Sequence, residues 1–148
     1  MKLEFALESV AKLWDEMEPL IQHGFQAFDP YPEIPLEVNR GAYEQVEALG
    51  VFRLYTARRA GTLVGYVSFI IGPSLRRRQI CANQDVIHTT TDGAAWIAKG
   101  LIEYSEAELR AEGVQVVYHS LPMGSRFARL LEVEGYPPIM QVNAKILK

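Results

Sequence analysis

Apolar residues recur at spacings of three and four from Val10 through Leu13, Trp14 and Met17 to Ile21. That is one face of an amphipathic helix, which Pro19 is expected to break or restart. From Gly24 to Pro35 three prolines stand among Phe25, Phe28, Tyr31 and Ile34, and predict an extended aromatic connection. Asn39 is placed to cap a second helix with the face Ala42, Tyr43, Val46 and Leu49, closed by Gly50. β-Branched and aromatic runs follow at Val51–Arg58 and Thr62–Ile71, joined by Arg59, Ala60 and Gly61 as a hairpin. A third strand runs from about Gln79 to His88. Thr90, Thr91 and Asp92 are candidate caps for a third helix striped by Ala98, Ile102, Ser105 and Leu109. Gly113 is a C-cap residue, Val114–His119 a buried-type strand, Ser125–Glu134 a short helix ended by Gly135, and Ile139–Leu147 a last strand.

The expected order is α-α-β-β-β-α-β-α-β. The helical passage between the third strand and Val114 suits a crossover joining parallel neighbours, while the hairpin is antiparallel. The fold class is therefore α/β (α+β), a mixed, mainly antiparallel sheet flanked by helices. No repeat, low-complexity stretch or linker divides the chain, and residues 1–148 read as one domain.

Composition narrows the function. Apolar residues make up 49% and charged residues 22%, values of a globular protein rather than a disordered one. A net charge of −3 supplies no global attraction for nucleic acid or an anionic membrane. The one cysteine, Cys81, rules out an internal disulfide and reads as a small buried hydrophobe. Charges at Lys2, Glu4, Glu8 and Lys12 interrupt the first segment, so no signal peptide or membrane span is expected there and the protein reads as soluble and cytoplasmic. His23, His88 and His119 lack the spacing of a zinc site.

Asp85 to Tyr136 carries more specific features. A strand ends in Val86-Ile87-His88, a helix opens Asp92-Gly93-Ala94-Ala95-Trp96-Ile97-Ala98 and ends Glu112-Gly113-Val114. The strand Val116-Val117-Tyr118-His119 and the run Arg129-Leu130-Leu131-Glu132-Val133-Glu134-Gly135-Tyr136 follow. With the element order, these resemble the GNAT superfamily of acyl-CoA-dependent N-acetyltransferases, and the segment Tyr118–Gly124 is reminiscent of GNAT-like proteins in phage genomes. The resemblance implies acetyl-CoA as co-substrate and transfer of acetyl to a primary amine of a small molecule or protein by direct attack. It implies a cofactor site over Val86, Ile87, His88, Gly93, Ala94, Ala95, Trp96, Ile97 and Ala98, with the pyrophosphate on backbone N–H groups at the helix start. The family's Gln/Arg-x-x-Gly-x-Gly/Ala pattern is matched only at Ala98: Gly93 takes the Gln/Arg place and Trp96 that of the first Gly. A tryptophan at a helix start ordinarily packs into the core. Leu131 holds the place of the family's proton-returning Tyr, so Tyr118, Ser125, His119 or water would have to serve.

Other candidates have plainer readings beside the chemical one. His119, ending its strand, is a proton relay or a histidine bonded to neighbouring backbone. Asp85 is a base or amine anchor, or a strand carboxylate paired with an arginine. Three apart, Asp85 and His88 face opposite sides of an ideal strand, a parity that a bulge would remove. Arg76, Arg77 and Arg78 read as a solvated turn at the end opposite the helix start, and Arg58 and Arg59 lie at the cradle end, suited to a phosphate or to a simple turn. The alternative to an enzyme is a catalytically inactive module of the same fold, binding a protein partner through its sheet edge or Pro-rich loop. The oligomeric state stays open, a homodimer included.

Overall fold

The computed structural model describes residues 2–147. Nine elements follow in order: β1 Leu3–Leu7, α1 Val10–Ala27, α2 Arg40–Ala48, β2 Phe52–Arg59, β3 Thr62–Pro73, β4 Ile80–Thr89, α3 Ala94–Ala111, β5 Val116–Tyr118 and α4 Arg126–Val133. The strands form one sheet in the order β1-β2-β3-β4-β5, antiparallel up to β4. β4 and β5 are parallel, Cys81 opposite Val116, with α3 as the crossover. The expected fold class stands.

Period-two alternation divides the core between the two sheet faces. Tyr55, Ala57, Val67, Phe69 and Ala82 meet Ile97, Leu101 and Leu109 of α3 on one face. Leu54, Leu63 and Tyr66 meet Val10, Leu13, Trp14, Met17 and Ile21 of α1 on the other. The α3 helix lies close because Gly65 and Gly100 lack side chains. A Cβ on Gly65 would stand 2.7 Å from Ile97 Cγ2, and one on Gly100 would overlap the ring of Phe5 from β1. Ala60 and Gly61, with φ of 50° and 80°, make the tight β2–β3 turn.

Several expectations need correction. Alternation at Leu3, Phe5 and Leu7 forms an edge strand ahead of α1, which the pattern of later segments had overshadowed. Pro19 does not interrupt α1. It is exposed, so the carbonyl it leaves without a donor can face water, and the helix runs on through Gly24 and Phe25. Thr90, Thr91 and Asp92 do not cap α3; its N-cap is Gly93, in the left-handed region. Ile139–Leu147 is not a strand: these residues pair with nothing in the sheet. The sequence supplies the alternation but not a neighbour to satisfy its backbone.

Candidate functional site

The site begins where β4 outruns β5. Their pairing stops at Asn83–Tyr118, whereas β4 continues to Thr89, still bonded to β3 on its other side. Beyond Asn83 the outer edge of β4 has no strand beside it among the described residues. Gln84 fixes the apex of this divergence: its Oε1 lies 2.6 Å from His119 Nδ1, and its Nε2 donates to Ser120 O at 3.3 Å. With the Gln84 amide oriented by Ser120, His119 carries its hydrogen on Nδ1. Its ring stands edge-on to Phe69 and Tyr136, and burial pushes its pKa down to about 4. His119 is therefore neutral near pH 7, and it lies on the α3 face of the sheet.

Asp85 lies on the opposite face. Val67 pairs with Ile87 and Phe69 with Gln84, so Asp85 and Val86 both stand opposite the single Ser68. This bulge removes the simple parity. Asp85 bonds Tyr43 and Ser68, Val86 packs into the α1-side core, and His88 packs with Tyr66 and His23 on that same side. Tyr43 donates to Asp85 Oδ2 at 2.9 Å, and Ser68 Oγ to the same oxygen at 3.2 Å while accepting from Val86 N–H at 3.3 Å. Asp85 Oδ1 is left without a side-chain donor among the described residues. Among the described residues its side-chain partners are Tyr43 and Ser68, not an arginine. Burial, then the charge of Asp85, raises the Tyr43 pKa, and burial and His23 lower that of His88. The Tyr66 hydroxyl and His88 Nε2 are buried and have no partner among the described residues. Because Val117 packs toward α3, alternation turns Tyr118 to the Asp85 side, at the divergence itself.

The third part is the start of α3, just past the carboxyl end of β4. No side chain caps it, and its first helical bond runs from Ile97 N–H to Gly93 O at 3.0 Å. The N–H groups of Ala94, Ala95 and Trp96 thus remain free of intrahelical partners. Arg58 and Arg59, adjacent in β2, point to opposite faces. Arg58 is held by Glu8 and Glu16 at 2.9–3.2 Å on the α1 side. Arg59 lies over the start of α3: its Nη2 is 2.9 Å from where a Gly93 Cβ would be, and its Nε is buried without a partner among the described residues. Its ion pair to the exposed Asp92 at 3.1 Å is a weak tether.

Trp96 overturns the expectation of a core residue. It is 76% exposed, whereas Ile97 and Ala98 turn inward and are buried. The indole therefore stands free beside the uncapped N–H groups. Ile87 belongs to the α3-side core. Ser125 caps α4, its Oγ accepting from Ala128 N–H at 3.2 Å, and Leu131 is buried in that helix. Arg76, Arg77 and Arg78 are exposed in the β3–β4 turn, at the end of β4 away from α3. The structure thus places Asp85, Val86 and His88 on the α1 face of β4 with Tyr118 turned to that side, sets His119 and Ile87 on the α3 face, and puts Ser125 at the cap of α4. Tyr43, Ser68 and Gln84 were not singled out from the sequence. Tyr43 looked like one position of a helix stripe, and only the bulge joins it to Asp85.

Among the described residues no helix is long and apolar enough to cross a membrane, and no three His, Cys, Asp or Glu side chains gather as a metal site. No family model matches the sequence, and no curated protein matches it. Solved structures do. A ribosomal-protein-alanine N-acetyltransferase from Brucella melitensis biovar Abortus 2308 is 20% identical, with 99% of each chain covered and a TM-score of 0.73. The aminoglycoside acetyltransferase meta-AAC0020 from an uncultured soil metagenomic sample, solved with sisomicin, is 13% identical over 99% of this chain and 95% of its own, with a TM-score of 0.75. A transcriptional regulator from Bacillus halodurans C-125 is 15% identical over 99% and 100%, with a TM-score of 0.78. The chain has the GNAT fold these structures share.

Proposed function

We propose that the protein is an acetyl-CoA-dependent N-acetyltransferase acting directly on a primary amine. The observation that carries this reading is the succession, along the second half of β4, of a carboxylate at Asp85, a strand edge with no strand beside it among the described residues, and an uncapped helix start past the end of the strand. A crevice at the carboxyl ends of parallel strands is where open sheets bind ligands. The acetyltransferase neighbours on this fold support the chemistry by analogy.

The residues present fit the cofactor. An anion at the α3 start meets the N–H groups of Ala94, Ala95 and Trp96, the positive end of the helix dipole and the Arg59 guanidinium, whose buried Nε lacks an acceptor among the described residues. Gly93 keeps the approach open where a side chain would run into Arg59. The exposed edge of β4 over Val86–His88 offers backbone groups to an extended amide chain in the manner of an added strand. Acetyl-CoA supplies the acetyl group as a reactive thioester. On the α1 face, Asp85 Oδ1 anchors the incoming amine and takes its proton, while Tyr43 and Ser68 hold the carboxylate through Oδ2. Tyr118, at the apex, is the hydroxyl nearest in register to return a proton to the leaving sulfur, since Leu131 supplies none.

Leu131 also favours a second reading, a non-catalytic module that retains the cofactor cradle, and a transcriptional regulator shares the fold. Thiol release separates the two. With acetyl-CoA and a panel of aminoglycosides, polyamines and peptides with free N-termini, the enzyme reading predicts amine-dependent thiol release that Asp85→Asn removes. Binding of acetyl-CoA without thiol release for any amine selects the second reading.

A further inference from the structure

The two tryptophans of the chain lie in opposite settings. Trp14 is buried in α1, its Nε1 donates to Glu18 Oε2 at 3.1 Å, and the Arg40 guanidinium covers its ring at 5.5 Å. Trp96 is exposed, and among the described residues no hydrogen bond or ring contact holds its indole. A single exposed ring is ordinary on a protein surface. The position of this one is not.

Trp96 is the third residue of α3. Three residues on, Lys99 reaches Glu134 at the end of α4 at 3.5 Å; four on, Gly100 faces the Phe5 ring of β1. Trp96 therefore lies on the outer side of the helix, between the α4 flank and the β1 flank, while Ile97 and Ala98 are buried against the sheet. Cα–Cβ bonds in a helix tilt toward its N-terminus, so the indole leans over the first turn. That is where the N–H groups of Ala94, Ala95 and Trp96 have no intrahelical partner. An aromatic face beside an anion cradle matches the two parts of a nucleotide, a flat base and a charged phosphate.

Resting on the cofactor reading above, we propose that the Trp96 indole stacks on the adenine of acetyl-CoA. With the diphosphate on the α3 start and the extended amide arm along β4, the nucleotide leaves the diphosphate at its opposite end, on the outer side of α3. There the indole offers a π-face, and base–aromatic stacking needs no pattern of hydrogen bonds. Trp96 then makes the site favour a thioester that carries the nucleotide over the same thioester on phosphopantetheine alone.

Binding, not turnover, tests this on the full chain. Acetyl-CoA is expected to quench the indole emission of the wild type and to leave that of Trp96→Ala, in which Trp14 alone emits, nearly unchanged. By calorimetry, Trp96→Ala should bind acetyl-CoA about tenfold more weakly, the size of one lost base stack, and Trp96→Phe should recover most of the loss. Acetyl-phosphopantetheine, which has no adenine, should bind the wild type and Trp96→Ala alike. Equal affinity of the wild type and Trp96→Ala for acetyl-CoA overturns the stacking and leaves the cradle standing. Equal weakening for both ligands also overturns it, since the indole would then act on the helix start and not on the base. A folded wild type that binds no acetyl-CoA overturns both this inference and the reading it rests on.

Discussion

Tyr43 of α2 and Asp85 of β4, 42 residues apart in sequence, meet through a 2.9 Å hydrogen bond that engages one carboxylate oxygen. Ser68 engages the same oxygen from the neighbouring strand, so the carboxylate is oriented from two elements. Asp85→Asn is expected to lower kcat/KM by on the order of 10²–10⁴. Because Asp85 is exposed, stability should move by no more than about 0.5 kcal/mol. Tyr43→Phe should cost less activity, since it removes orientation and leaves the base. Steady-state kinetics with a thermal melt checks both, and undiminished turnover in the Asp85→Asn variant removes Asp85 from the chemistry.

His119 gives the fold an acid sensitivity of definite sign. Its pKa falls from 6.5 to about 4 because it is buried, so between those values the unfolded chain binds a proton that the folded chain does not. This contribution is fully present above about pH 6.5 and is lost as pH falls toward about 4. Burial and His23 lower His88 as well, which adds a contribution of the same sign. Urea unfolding at several pH values in that window should show His119→Asn less acid-sensitive than the wild type. Equal slopes would contradict the burial of a neutral imidazole.

Much of this was legible in the sequence, for identifiable reasons. The β2–β3 hairpin, the Asn39 cap and the parallel β4–β5 pair follow from local patterns that tertiary contacts reinforce. Arg59 at the cradle and Arg76–Arg78 in a remote turn follow from topology alone. What was not legible depends on geometry that no spacing encodes. The bulge opposite Ser68 places Asp85 and His88 on one face. The left-handed Gly93 begins α3 one residue later than a capping Asp92 would. Ile139–Leu147 reads as a strand by alternation, but alternation says nothing of where its neighbour is.

Trp96 tests the orientation of the helix start. At 76% exposure, Trp96→Ala should shift stability within about 0.5 kcal/mol, and not by the roughly 3–5 kcal/mol of a buried indole. Chemical denaturation decides, and a large loss would return the indole to the core.

Gly100 tests the seat of α3 on β1. A methyl group there overlaps the Phe5 ring, which also stacks on Tyr104 at 5.6 Å. Gly100→Ala should gain about 1 kcal/mol of helix propensity and lose about 1–3 kcal/mol to overpacking. The net change in a thermal melt is expected to be destabilising. An unchanged or raised midpoint would mean that β1 does not press on α3 as described.

The central claim is that the α3 start and Arg59 form an anion cradle for acetyl-CoA, and calorimetric titration of the folded protein tests it most directly. One site per chain is expected for the wild type. Arg59→Glu should weaken it about tenfold or more, the effect of losing a hydrogen bond to a charged group and gaining a repulsive one. No heat from the wild type at millimolar acetyl-CoA, or equal affinity in Arg59→Glu, would contradict the account.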